Sequence, residues 1–254
     1  MKPKVVLCVG DYNASWRKEI SLQIWKQKPQ HCEVMFLTQS SSLLGYCFNQ
    51  LWARALIEHD QDHNVKYFCM LHADVVPQVD NWLDLLIEEM EMNNAQVLSA
   101  VVPIKDHTGS TSTAVSTDGN IWDTRKLTLA ECEQLPDTFD IDDVRETFPE
   151  LSHVDSPLLV NTGLMLVDLS NGWASETDDQ GHLKAYFTIK DRIRRNGTQY
   201  EVAVVPEDWR FSQMAHEAGC KVCATTRVPL VHIGMHGYAN FSKMPKPNTQ
   251  EAVA

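Results

Sequence analysis

Tyr67-Phe68-Cys69-Met70-Leu71-His72-Ala73-Asp74-Val75-Val76-Pro77 is an apolar run interrupted by an imidazole and a carboxylate. Five apolar residues in succession fit a strand buried on both faces, as strands of a parallel sheet are. His72 and Asp74 are two residues apart, so the spacing places them on one face of that strand. They also fall at its carboxyl end, where open α/β sheets bind ligands. A carboxylate there suits Mg2+ or Mn2+, and an imidazole leans toward Mn2+, so the pair fits an ion that bridges a diphosphate. By itself the segment reads equally well as a turn capped by Asp74 with His72 in the core.

The segments on either side give the strand its setting. Lys4–Val9 is another apolar run, and Ser15–Lys26 spaces Ile20, Ile24 and Trp25 as a helix does. Glu33–Leu37 repeats the strand signal, and Leu43–Ile57 carries one apolar stripe through Leu44, Phe48, Leu51, Trp52, Ala55 and Leu56. After the strand Lys66–Leu71 come a helix over Trp82–Met92 and a strand over Val97–Val102. Strands alternating with helices of this length predict an α/β fold, a mostly parallel sheet with helices on both faces.

From Lys105 to Pro157 the periodicity breaks around Gly109, Gly119, Pro136 and Pro149, with a short helix expected over Leu127–Gln134. A long polar segment without a visible core role reads as a lid or binding loop. Leu158–Val167 is apolar again. Glu201–Val205 reads as a strand, Trp209–Ala218 as a helix closed by Gly219, and Lys221–Ala224 and Leu230–Val231 as short strands. Pro245 and Pro247 mark a loose tail from Lys243. The expected organisation is one domain over 1–242, divided at 1–103, 104–157 and 158–242, with a flexible 243–254.

The chain has 254 residues, 43% of them hydrophobic, enough for a sizeable core. Its net charge of −12 opposes general affinity for DNA, RNA or anionic membranes. Lys184, Lys190, Arg192, Arg194 and Arg195 form a local basic cluster, read first as a solvated helix face and second as a polyanion patch. The start, Met1-Lys2-Pro3-Lys4, lacks a signal-peptide pattern and no apolar run reaches spanning length, so the expected location is cytoplasmic. Seven scattered cysteines suit core thiols, and the C-x-x-C of Cys220 and Cys223 has no second ligand pair at zinc spacing.

Leu71-His72-Ala73-Asp74-Val75-Val76-Pro77 resembles the DXD region of GT-A glycosyltransferases, in particular the family-2-like bacterial and phage-encoded type. Three more segments fit in order. Phe48-Asn49 resembles the helix before the DXD strand, and Val160-Asn161-Thr162-Gly163-Leu164 resembles the acceptor-side segment, where a glycine lets backbone approach sugar. Pro206-Glu207-Asp208-Trp209, with His216-Glu217-Ala218-Gly219 and Val231-His232-Ile233-Gly234, resembles the Glu-Asp motif, its helix and the late metal-binding histidine. The likeness runs from residue 4 to about 240. His72 stands where the family more often has Asp, and no Asp-Asp motif follows Thr38.

The resemblance implies a nucleotide-sugar-binding half over 1–103 and an acceptor-side half over 158–242. A UDP- or GDP-sugar would meet Gly10, Asp11, Tyr12, Asn49, His72, Ala73 and Asp74, and a divalent metal, Mn2+ or Mg2+, would be held by Asp74, His232 and His72. The acceptor would lie against Asn161, Thr162, Gly163 and Trp209. Asp208 would be the base of an inverting transfer, with Glu207 beside it pointing elsewhere. At a loop-to-helix junction Asp208 also reads as an N-cap, and Tyr12 as an ordinary turn tyrosine. The acceptor is open: a saccharide, or a hydroxymethylated DNA base if the chain is phage-encoded and works in a host cytoplasm. Two other classes stay in view, an idle nucleotide-sugar binder and a nucleotidyltransferase. The latter is disfavoured because Gly10-Asp11-Tyr12-Asn13-Ala14-Ser15 lacks the glycine-rich basic loop a triphosphate needs.

Overall fold

The computed structural model describes residues 2–11, 16–117, 119–151, 156–234 and 236–241. Tyr12 and the tail expected from Lys243 lie outside them. The first half runs β1 (Lys4–Asp11), α1 (Lys18–Lys26), β2 (Glu33–Ser40), α2 (Leu44–Gln61), β3 (Val65–His72), β4 (Val75–Pro77), α3 (Trp82–Met92) and β5 (Val97–Ala100). Then come β6 (Ser110–Ser116), β7 (Thr124–Thr128), α4 (Leu129–Cys132), β8 (Thr138–Phe139), α5 (Ile141–Thr147), β9 (Leu158–Leu159) and β10 (Leu164–Asp168). The chain continues through β11 (Lys190–Asn196), β12 (Gln199–Val205), α6 (Glu207–Glu217), β13 (Val222–Thr225), β14 (Leu230–Ile233) and β15 (Gly237–Ala239).

Seven strands form the central sheet in the order β2-β1-β3-β10-β5-β13-β8. β1 pairs in parallel with β2 and β3, and β13 in parallel with β5. β10 is antiparallel to both β3 and β5, and β8 is antiparallel to β13. Five of the seven strands therefore point the same way, as expected, with a reversed strand in the middle.

Strand parity divides the core into two layers. Val6 and Cys8 of β1 face α2 and α6, which contribute Phe48, Leu51, Trp52 and Ala55, and Phe211, Met214 and Ala215. Val5, Leu7 and Val9 face the other way, toward Ile20 of α1 and Trp82, Leu83, Leu86, Ile87 and Met90 of α3. A sheet covered on both faces needs runs apolar at every position, which is why β1 and β3 read as continuous rather than alternating strands. All seven cysteines are buried and none is in a disulfide. No helix among the described residues is long and apolar enough to cross a membrane.

Three expectations change. The segment from Lys105 to Pro157 has a core role: Val115, Leu127, Phe139 and Val144 are all buried in the α2-side layer. Its pattern was hidden because its elements are only two to seven residues long, and β6 shifts register between Ser110 and Ala114. The basic cluster is not a helix face, since Lys190, Arg192, Arg194 and Arg195 lie on the β11–β12 hairpin. Trp25 does not share the inner face of α1 with Ile20; it is 87% exposed.

Trp52 is the largest fully buried side chain of the α2-side layer. It is 1% exposed, donates its indole N–H to Ala185 O at 3.1 Å, and meets Phe68 and Phe211 edge-on at 5.0 and 5.5 Å. Trp52→Ala should cost about 3–5 kcal/mol. Urea unfolding followed by circular dichroism will show this as a lower midpoint.

Candidate functional site

The carboxyl ends of β1 and β3 open into a cleft of about 330 Å³, lined by Gly10, Asp11, Arg17, Leu44, His72, Ala73, Asp74, Lys105, Ile233 and Gly234. β3 ends at His72, and Ala73-Asp74 form the turn into β4. Strand parity therefore does not fix the direction of Asp74, although both residues reach the same cleft. β14 pairs antiparallel with β4, placing His232 opposite Val75, and Ile233 N–H donates to Asp74 O at 2.7 Å. That pairing brings a residue from the end of the chain onto the Asp74 turn.

Asp74 has two cationic or potentially cationic neighbours. Its Oδ1 lies 3.6 Å from His232 Nε2, and its Oδ2 accepts from the Lys105 ammonium. His232 Nδ1 donates to Pro103 O at 2.8 Å, because a carbonyl only accepts, and this turns Nε2 toward the carboxylate. Burial alone would raise the pKa of Asp74; the hydrogen bonds from His232 and Lys105, helped by His72, hold it well below the usual carboxylate range. His72 Nε2 lies 2.9 Å from Thr162 Oγ1, and its ring packs 5.1 Å from Phe48. Burial first, then the charges of His232 and Lys105, push His72 down to about 4 despite Asp74, so its imidazole is neutral at pH 7.

These side chains do not fit the divalent ion expected on Asp74, His232 and His72. An ion needs several free lone pairs converging on one point. Here the Lys105 ammonium stands on the carboxylate that would anchor the ion, and His72 Nε2 is engaged by Thr162. Among the described residues no three His, Cys, Asp or Glu side chains are grouped to hold a metal.

The acceptor-side segment is a packing joint. Asn161, 3% exposed, donates to Ala100 O at 3.1 Å and accepts from Gly163 N–H at 2.8 Å. A Cβ on Gly163 would lie 2.8 Å from Asn161 Oδ1, 3.1 Å from Val102 and 3.2 Å from Val75. The glycine thus serves close approach within the protein, not approach of backbone to sugar. Thr162, 1% exposed, reaches the cleft only through His72. Asn49 does not line the cleft: its amide donates to Phe187 O at 2.7 Å and accepts from Phe187 N–H at 2.8 Å. Asp11 does line it, with Oδ2 accepting from Trp16 Nε1 and Oδ1 from Ser40 Oγ.

Asp208 stands apart from the cleft. It lies in the first turn of α6, whose N-cap is Pro206, so the N-cap reading fails. Its Oδ1 accepts from the N–H of Trp209 at 2.8 Å. Burial and then the neighbouring Glu207 push its pKa up to about 7, against a smaller opposing pull from that N–H and Lys126. Trp209 is 8% exposed and donates its indole N–H to Ser112 O at 2.9 Å, so its ring is packing rather than an open sugar platform. α6 is joined to the cleft by a hydrogen-bonded route and by the aromatic chain Phe211, Phe187 and Phe48, which ends on His72. The Ser212 hydroxyl accepts from Val160 N–H at 3.1 Å and donates to Asp208 O at 2.9 Å, two residues before Thr162 meets His72.

Sequence reading missed Lys105 and Arg17, the two cations of the cleft. A signal for Lys105 existed, since it follows the apolar run Val97–Ile104 and so falls beyond a strand's carboxyl end. Arg17 had none, because its place depends on how the chain turns back after β1.

No protein-family model matches the chain, and no curated protein sequence does. Among solved structures, A197 from STIV matches with a TM-score of 0.51 at 10% identity, over 92% of this chain and 86% of that one. The two share a fold. A point mutant of UDP-glucose pyrophosphorylase from Leishmania major, in complex with UDP-glucose, matches at TM-score 0.38 and 11% identity. That match covers 84% of this chain and 59% of the other, too slight a likeness to bear on function.

The joint at Gly163 has a direct test. Gly163→Ala should destabilise the protein by about 1–3 kcal/mol, since the added methyl meets fixed neighbours on three sides. Thermal unfolding of the variant will read the loss.

Proposed function

We propose that the chain transfers a sugar from a UDP- or GDP-sugar bound in the cleft to an acceptor hydroxyl, with Asp208 as the base. The observation that carries this reading is the convergence of Arg17 and Lys105 at the carboxyl ends of β1 and β3. Arg17 and Lys105 set N–H donors in a cleft that also holds the Asp11 and Asp74 carboxylates, and a nucleoside diphosphate group is a small anion that such donors can hold. His72, held neutral, adds no charge of its own and fits beside the sugar rather than the phosphates.

In the transfer, the acceptor oxygen forms a bond to the anomeric carbon while the bond from that carbon to the diphosphate oxygen breaks. The electron pair leaves on the diphosphate, and the acceptor's proton passes to the Asp208 carboxylate. A carboxyl raised to about 7 is a stronger base than an ordinary one and still partly ionised at neutral pH, as general-base catalysis requires. An idle binder would need no such group, so the environment of Asp208 favours an enzyme over a binding protein. The route from the Asp208 carbonyl through Ser212 and Val160 to Thr162 and His72 ties the first turn of α6 to the wall of the cleft. A single displacement of this kind inverts the anomeric configuration.

Because only the ionised form accepts a proton, kcat/KM should rise with pH through about 7 and then level. Asp208→Asn should lose that limb and lower turnover by roughly 10²–10⁴ while nucleotide affinity is kept. Turnover measured across pH on both proteins checks this, with the anomer of the product read by NMR. Unchanged turnover in the variant, or retention of configuration, would leave Asp208 no role as base.

A further inference from the structure

We infer that Lys105 takes the part of a divalent ion in this cleft: its ammonium, fixed on Asp74, binds the diphosphate and stabilises the departing negative charge without metal. This rests on the nucleotide-sugar reading above and adds which group meets the phosphates.

Lys105 is built into position along its whole length. Its backbone follows Pro103, whose carbonyl holds His232, and Ile104 N–H donates to Ser110 O at 3.0 Å. Its aliphatic stem crosses Gly234, where a Cβ would stand 3.1 Å from Lys105 Cδ and 3.4 Å from Cγ. The missing side chain of Gly234 is the channel through which the stem reaches the turn at Asp74. One segment, 103–105, thus reaches Asp74 twice, once through His232 and once through the ammonium.

An ammonium has three donors, and one is given to Asp74. Among the described residues the other two meet no partner and are available to the cleft. Asp74 acts as the tether: it holds the cation where the phosphates arrive, so little side-chain freedom remains to be lost on binding. Arg17 flanks the same place, its Nη2 lying 3.5 Å from Gly234 O, and supplies a second, planar set of donors. An ion entering at Asp74 would first have to displace Lys105. As the bond to the anomeric carbon breaks, charge grows on the diphosphate oxygen, and a pre-positioned ammonium hydrogen-bonded to it favours that state without giving up its proton.

Isothermal titration of UDP and GDP into the full chain, in EDTA and again in Mn2+, tests the inference. At least one nucleotide should bind equally well in both. Lys105→Met should weaken binding in EDTA by about ten- to a hundredfold, the range for a lost charge-assisted hydrogen bond. Lys105→Arg, which keeps the charge, should recover most of the loss. Binding seen only with Mn2+, or an unchanged affinity in Lys105→Met, overturns the role of Lys105 and leaves the nucleotide-sugar reading standing. Binding of neither nucleotide in either buffer overturns both.

Discussion

Asn161 is the joint on which both halves of the molecule depend. Buried at 3% exposure, its amide reaches Ala100 O on one side and Gly163 N–H on the other, while Ser99 Oγ donates to its carbonyl at 2.7 Å. An amide removed from water is costly unless its donors and acceptors find partners, so this residue fixes the chain where it enters the sheet. Three consequences follow within a few residues. Gly163 O receives the N–H of His72, Thr162 meets the His72 ring, and Val160 is tied to Ser212 on α6. The cleft and the helix bearing Asp208 are held to one another through four consecutive positions.

The site separates its ionisable groups by environment. Asp74 is charged because cations surround it, His72 is neutral because burial outweighs the pull of Asp74, and Asp208 is raised because burial and Glu207 act together. Each state depends on a contact made by a different element: β14 and the segment after β5 for Asp74, α2 and residue 162 for His72, the first turn of α6 for Asp208. The division leaves a charged carboxylate in the cleft and a raised one on the first turn of α6.

What the sequence showed was what depends on local pattern. The helix Trp82–Met92 and the strands β1 and β3 follow from continuous apolar runs and a helical stripe, and the place of Asp74 follows from chain direction alone. Residues whose role depends on distant partners were misread. Asn49 looked like a ligand because it sits on the right helix, yet its partner is the backbone of Phe187 far along the chain. Gly163 looked like a place for sugar, yet Asn161, Val102 and Val75 fill the space. Lys105 went unread because a lysine after a strand is ordinary until Gly234 and Asp74 are brought to either end of its side chain. The two- to seven-residue elements between β5 and β9 were too short to show a period.

The reversed strand at the centre of the sheet also sets an order of assembly. β10 lies between β3 and β5, but more than sixty residues separate it from either in the sequence. Until Leu164–Asp168 has left the ribosome, β3 and β5 each present an unpaired edge flanked by fully buried side chains such as Phe68, Cys69 and Leu98. Open apolar edges invite pairing with other chains. The first hundred residues, although they read as a complete run of strands and helices, are therefore a half whose open edges are closed only by a strand made much later, and a fragment ending before Leu164 leaves them open.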